Sequence, residues 1–252
     1  MQTDVVDHSA HLAQLRSSYD ALAPVWAEAT DHNLWNEGLD RKPIRSLLPL
    51  PLEGLEVLDV GCAAGTIAAD VMDRGAQVTG LDLSPAMVET ARRRCEGRGR
   101  FLVADLTEPL PLPDATFDGI IASLVLHYIH DWSVPLASFA RVLRPGGWVV
   151  FSTDHPDSPF ARSHRTNYFA TELIKDRWTK SGVTIDVSFW RRPLMAMVDA
   201  FADAGFVLER LLEPRVSDQD RAEYPDETAD LPDVPFRVVL RFRKPDLTSP
   251  IA

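Results

Sequence analysis

The stretch VLDVGCAAGT, residues 57–66, decides how this chain folds. Leu55 to Asp59 (LEVLD) reads as a short buried strand that runs straight into the glycine-bearing turn GCAAGT, and Ile67 to Arg74 then reads as a helix. Outward from it the rhythm repeats. QVTGLD (77–82) precedes a helix over 85–96, RFLVAD (100–105) and FDGIIAS (117–123) read as strands, and a helix ending near RVLRPGG leads into WVVFST (148–153). Apolar strands alternating with helices predict an α/β fold around a mostly parallel sheet with helices on both faces. A turn bearing Gly61, Ala63 and Gly65 at the carboxyl end of such a strand lets backbone approach a ligand closely, which is where open α/β sheets bind ligands.

Past Thr153 the rhythm breaks. Residues 154–192 hold Pro, His and many aromatics, with a hairpin expected in RWTKSGVTIDVSFWRR and its turn near Ser181 and Gly182, which reads as an insertion covering a site. A helix from Pro193 to Ala204 and strands FVLERLLE (206–213) and FRVVLRFRK (236–244) follow. Between those strands, residues 216–235 carry seven acids against one Arg, with three prolines, and read as a solvated loop or a second lid. A chain of 252 residues exceeds the usual domain of roughly 100–200, yet α/β folds of this size often form one domain. The expected division is a helical cap over 1–50, a ligand-binding core over 51–153, a lid over 154–192, and a helix with two strands over 193–252.

Composition narrows the function. With 26 Lys and Arg against 37 Asp and Glu, the net charge is −11, so the average field repels polyanions and argues against nucleic-acid and anionic-membrane partners. The same balance favours neutral or cationic small molecules. Only Cys62 and Cys95 are present, too few for a disulfide framework and not clustered with His, so no metal site is expected and a reducing cytoplasm fits. The opening residues lack a signal-peptide pattern and the longest apolar run, GIIASLVL (119–126), is far short of the roughly 18 residues of a membrane span. A soluble, unexported chain is expected.

A dinucleotide fingerprint G-x-G-x-x-G counted from Gly61 would need glycines at 63 and 66, where Ala63 and Thr66 stand. The motif instead resembles the first motif, D/E-x-G-x-G-x-G, of the class I S-adenosylmethionine-dependent methyltransferases, with Asp59 as its acid and Ala63 in place of the middle glycine. Asp82 in LDLSPAMVETARRR, Asp105 in VADL, FDGIIASLVLHYIHDW and RVLRPGGWVVFST match the later family motifs in order, so the resemblance spans residues 57–153. It extends weakly to YDALAPVW near Tyr19 and to the last two strands. Within the family the chain is most similar to the small-molecule branch that includes the ubiquinone-biosynthesis (type 11) methyltransferases. The resemblance implies a Rossmann-like, seven-stranded, mostly parallel sheet with an antiparallel last strand and a lid insertion after the fifth strand.

It also implies roles. Tyr19 and the turn Asp59, Gly61, Cys62, Ala63 and Gly65 would hold the methionine end of S-adenosylmethionine, and Asp82 the ribose. Leu83 and Met87 would flank one adenine face, Asp105 and Leu106 its edge and other face, and Ser123 would lie near the sulfonium; S-adenosylhomocysteine would be the product. His155 after the fifth strand reads as a base, a substrate-orienting group or a hydrogen-bonded loop histidine. His127, Tyr168 and Trp190 are candidate substrate contacts, with structural packing as the alternative; Trp178 and Phe189 would join Trp190 in an apolar pocket, unless that face packs in a core or a homodimer. The expected activity is methyl transfer to O, N or C of a small organic acceptor. An NAD(P)-dependent oxidoreductase and a cofactor-binding protein without catalysis remain as alternatives.

Overall fold

The computed structural model describes residues 8–246. From the N-terminal side, α1 (His8–Thr30) leads through a π-helical turn, Leu34–Arg41, into α2 (Lys42–Leu47). Strands and helices then alternate: β1 (Glu56–Val60), α3 (Thr66–Asp73), β2 (Gln77–Asp82), α4 (Pro85–Arg94), β3 (Arg100–Val103), β4 (Phe117–Ser123), α5 (Ser133–Val142) and β5 (Leu143–Asp154). After α6 (Pro159–His164) come the paired strands β6 (Glu172–Lys180) and β7 (Val183–Arg191), then α7 (Leu194–Asp203), β8 (Val207–Leu212), the short helices α8 (Asp218–Glu223) and α9 (Pro225–Thr228), and β9 (Arg237–Arg243).

The main sheet has seven strands in the order β3-β2-β1-β4-β5-β9-β8, parallel throughout except for β9, which runs antiparallel to both neighbours. This is the Rossmann-like arrangement with an antiparallel last strand. Both faces are covered, which is why the strands read as near-continuous apolar runs rather than alternating ones. Along β5, Val149 and Phe151 join the cluster containing Phe139 and Phe201, whereas Val150 joins the opposite cluster with Val57 and Ile44. Gly119 in β4 is required by packing: a Cβ there would stand 2.1 Å from the Trp148 ring. Phe201 of α7 stacks on Phe242 of β9 at 4.0 Å, and burying each ring stabilises the fold by about 1.5–3 kcal/mol.

The hairpin β6–β7 is a separate two-stranded sheet, an arrangement only marginally stable alone. It gains its core from α1: Ile185 and Val187 pack with Leu22, Ala23 and Met87, and Ser18 Oγ donates to the Asp186 carbonyl at 3.1 Å.

Three local expectations shift. α4 stops at Arg94 because Glu96 and Gly97 take left-handed backbone, φ +54° and +74°, which ends the helix. The hairpin begins at Glu172, well before Arg177. The acidic segment 216–235 is not a plain loop: Ser217 and Asp220 form a reciprocal capping box at α8, and Tyr224 packs with Leu34 and Leu39. That segment props the turn Leu34–Arg41 from outside, with Glu227 accepting from the Leu34 N–H at 3.3 Å and Asp220 paired to Lys42 at 3.2 Å. Among the described residues no helix is long and apolar enough to cross a membrane, and no cluster of three or more His, Cys, Asp or Glu could hold a metal ion.

Candidate active site

Strand order reverses between β1 and β4, and a cavity of about 770 Å³ opens above their carboxyl ends, roofed by α1 and the hairpin. The glycine turn shapes its floor. The N–H groups of Gly61 and Cys62 both donate to the Leu81 carbonyl, at 2.7 and 2.9 Å, which folds the turn against β2. Gly61 has φ +70° and a Cβ there would stand 2.5 Å from Val125 Cγ2, so no other residue fits. Gly65, at φ +79°, opens α3; its added Cβ would meet Ala91 at 3.0 Å, so this glycine sets the approach of α3 to α4 rather than lining the cavity. Ala63, where the motif has glycine, also takes left-handed backbone at φ +45°, a strain of about 1–2 kcal/mol for a residue with a Cβ. Its N–H donates to Asp82 Oδ2 at 2.9 Å, holding the turn in that shape.

Asp82 accepts from Ala63 and, through Oδ1, from the Ser84 N–H at 2.9 Å. Each carboxylate oxygen keeps a further lone pair for a ligand hydroxyl. Burial raises its pKa to about 6. Asp59, fully enclosed beneath the turn, is raised to about 7 by burial and then by the charge of Asp82, and its Oδ2 has no hydrogen-bond partner. Asp105 accepts from Thr107 N–H and Oγ1 at 2.8 and 2.7 Å through Oδ1 alone, so among the described residues Oδ2 is uncommitted. Leu83 and Leu106 line the cavity beside these acids. Met87 does not: it is buried beneath α1 with Leu22 and Ala64. Cys62 lines the cavity with a buried thiol pushed up by burial, packed in the cluster with Val57 and Phe101 and donating to the Ala63 carbonyl at 3.8 Å, which leaves it unreactive.

The far side of the cavity is aromatic. Tyr19 of α1 and Tyr128 share a 2.5 Å hydroxyl contact, and burial pushes both phenols up, so both stay neutral. His127 also lines the cavity, its Nδ1 3.3 Å from Thr153 Oγ1; burial lowers its pKa to about 4, so it is a neutral imidazole at physiological pH. Ser123 does not present a free hydroxyl, since its Oγ donates to Asp40 Oδ2 at 2.6 Å.

Besides Gly65 and Met87, three residues expected at the catalytic and acceptor positions are not brought to the cavity. His155 is buried, with Nε2 2.9 Å from Glu213 Oε1 and Nδ1 accepting the Asp157 N–H at 3.1 Å, so both ring nitrogens are committed. The reason is the pleat: side chains alternate along β5, so Asp154 reaches the cavity while Thr153 and the next residue, His155, turn to the opposite face. Trp190 fails by the same single step. Phe189 on β7 lines the cavity, whereas Trp190 faces away and packs on His130 at 4.3 Å. Tyr168 lies outside, between the guanidinium groups of Arg165 and Arg191.

Several cavity residues escaped the sequence reading. Asp40 and Arg41 come from the π-helical turn; Asp40 is buried with Oδ1 unpartnered and its pKa pushed up by burial, and Arg41 donates to the carbonyls of Thr30 and Asp31 at 2.7 and 2.8 Å. Lys180 closes β6, and Arg237, the first residue of β9, pairs with its cross-strand partner Asp154. A polar residue opening an apolar strand was the only local signal for Arg237, and it acquires meaning only from the antiparallel register.

The donor set fits an adenosyl ligand. A carboxylate with spare lone pairs ends β2, a second carboxylate with an uncommitted oxygen follows β3, and apolar side chains flank both. Comparison with known proteins agrees. The methyltransferase domain family matches residues 58–151. A demethylmenaquinone methyltransferase of Tropheryma whipplei is 36% identical over 181 residues, covering 68% of this chain and 73% of that protein. A malonyl-[acyl-carrier protein] O-methyltransferase of Serratia marcescens is 42% identical over 100 residues, and the match spans only 38% of that protein's length. Among solved structures, an S-adenosylmethionine-dependent methyltransferase from Mesorhizobium loti superposes with a TM-score of 0.64 at 27% identity, covering 80% of this chain and 96% of that one. Fold, cavity and relatives converge, and the chain belongs to the S-adenosylmethionine-dependent methyltransferases.

Proposed function

We propose that this methyltransferase acts on a small organic acceptor, seated between the hairpin and the ends of β5 and β9, with Asp82 holding the ribose of S-adenosylmethionine and Asp105 the adenine edge. Bound there, the cofactor supplies a methyl group on a sulfonium, which needs only a nucleophile aligned behind it and freedom from water. The residues of the chain supply that alignment. Asp82 offers lone pairs to a vicinal diol, Leu83 and Leu106 offer flat apolar contacts, and the Gly61 turn admits the ligand close to backbone. Arg41 lines the cavity with Nε paired to Glu37 and Nη2 donated to the carbonyls of Thr30 and Asp31, so among the described residues Nη1 is left for a ligand carboxylate. On the acceptor side, Tyr128 and His127 present neutral polar groups that orient without carrying charge, and the neutral Tyr19, which faces both Asp82 and Asp154, stands between them and the methionine end of the cofactor.

The observation that carries this reading is continuity: one cavity reaches from Asp82 and Asp105 to the aromatic walls of the hairpin. Its volume is within the range of about 300–1,000 Å³ typical of small-molecule sites. His155 has no part in the reaction under this reading; it ties the end of β5 to Glu213. Calorimetry with S-adenosylhomocysteine and with NAD tests the ligand, and transfer of labelled methyl to a panel of small acceptors, read by mass spectrometry, tests the reaction. Uptake of NAD in place of S-adenosylhomocysteine overturns the assignment.

A further inference from the structure

The average charge of the chain points away from anionic substrates, but two cations, Lys180 and Arg237, line the acceptor end of the cavity. Lys180 makes no hydrogen bond or ion pair among the described residues; its ammonium rests over the rings of Trp26 and Trp178 at 5.6 Å each. Arg237, whose side chain is only 14% exposed, spends one nitrogen on Asp154, while its Nε is buried with no partner. Burial first, and then the charge of Arg237, push the Lys180 ammonium down.

The nearby acids do not neutralise Lys180. Asp154 is engaged by Arg237, and Asp176 accepts from Trp178 Nε1 at 2.8 Å and from the Arg177 N–H at 2.7 Å. Arg237 already has its carboxylate in Asp154, so Lys180 is the cation of this end left without an anion among the described residues, and a half-buried ammonium in that position is costly until one joins it. The surrounding surfaces are flat and apolar: Phe236 lies beside Arg237, Phe160 and Phe189 stack at 6.0 Å, and Trp178 stands under Lys180.

We propose that the methyl acceptor is an aromatic oxyanion, a carboxylate or a phenolate, whose negative oxygen is paired by Lys180 and Arg237 while its ring lies against the aromatic walls. This rests on the reading of the cavity as a methyltransferase site and names the acceptor class within it. An acceptor bound this way is already deprotonated at the paired oxygen, which accords with a cavity whose histidine, its pKa lowered to about 4 by burial, is a weak base and whose other nearby histidine faces away.

The test uses the full chain saturated with S-adenosylhomocysteine and four probes: 1-naphthoate, 4-nitrophenolate, 1-naphthalenemethanol and 1-naphthylmethylammonium. Calorimetry is expected to show at least one anion binding about tenfold or more tighter than the alcohol, as charge-assisted bonds predict, with the ammonium weakest. Lys180→Met is expected to erase that margin without changing affinity for the alcohol, and Lys180→Arg to retain it. Preference for naphthoate assigns a carboxylate, preference for nitrophenolate a phenolate. Equal binding of alcohol and anions, absence of anion binding at millimolar concentration, or a margin that survives Lys180→Met overturns the proposal while leaving the methyltransferase reading intact. Failure of S-adenosylhomocysteine itself to bind overturns both.

Discussion

The two halves of the cavity are built on different principles. The half holding Asp59, Asp82 and Asp105 is assembled from the ends of β1 and β2 and the turn after β3, each a few residues from a strand whose place in the sheet is set by the parallel rhythm. The half holding Trp26, Trp178, Lys180 and Arg237 is gathered from α1, the hairpin and β9, the first and last of which lie more than two hundred residues apart in the chain. Local sequence can specify the first; only tertiary register specifies the second. The contrast predicts that substitutions should separate cleanly into those that change cofactor affinity and those that change acceptor use.

The largest effect is expected at Asp82. Asp82→Ala should weaken S-adenosylhomocysteine binding at least about tenfold, roughly 1.5 kcal/mol or more, because charge-assisted hydrogen bonds are lost. Unchanged affinity by calorimetry would move the ribose elsewhere and dissolve the distinction between the halves.

Acidification should reach the same half. A carboxyl raised to about 6 must be ionised to accept two hydroxyl donors, so affinity should be near full about one unit above pH 6, halved at pH 6, and approach a tenfold fall per unit below it. Without ligand the sign reverses: Asp59 and Asp82 bind protons more tightly folded than unfolded, so their contribution to stability is complete below about pH 4 and is lost as pH rises through 6 and 7. Ligand-induced proton release, measured by calorimetry in buffers of different ionisation enthalpy, checks both.

On the other half, Trp178→Ala should raise the acceptor KM by about fivefold, the worth of one lost aromatic and cation contact, with cofactor affinity within about twofold of the parent. A change confined to cofactor affinity would place Trp178 in the wrong half. His155→Ala should leave turnover within about twofold while lowering stability by about 1 kcal/mol through loss of the Glu213 bond. A collapse of turnover with unchanged melting would restore this histidine to the chemistry. The smallest effect is expected at the turn: Ala63→Gly removes a Cβ from left-handed backbone and should stabilise the fold by up to about 1 kcal/mol, read from the denaturation midpoint.

How far the sequence carried can be seen in single residues. QVTGLD and FDGIIAS match β2 and β4 residue for residue, because both faces of those strands are buried and turn residues mark their ends. His155 and Trp190 were misplaced by one step of a two-residue period: a cluster of chemically apt residues at a strand end gives no face until the register is known. Arg237 and Asp154 meet because β9 runs antiparallel to β5, and Asp40 reaches Ser123 because a π-helical turn rotates it inward. None of these is written in a spacing. The signal for α8 was present as Ser217 followed three residues later by Asp220, but was outweighed by the prolines and the charge.

The position of β9 has a consequence for how the molecule comes into being. It is the final strand of the described chain to leave the ribosome, yet it occupies an interior lane of the sheet, flanked by β5 and β8. Until residues 237–243 emerge, β5 presents an open edge and β8 has no neighbour to pair with, a state inviting association between nascent chains. Translation cut short at Phe236 would therefore forfeit the strand that joins β8 to β5 and Arg237 with it, so an unfinished copy has neither a continuous sheet nor a complete pocket.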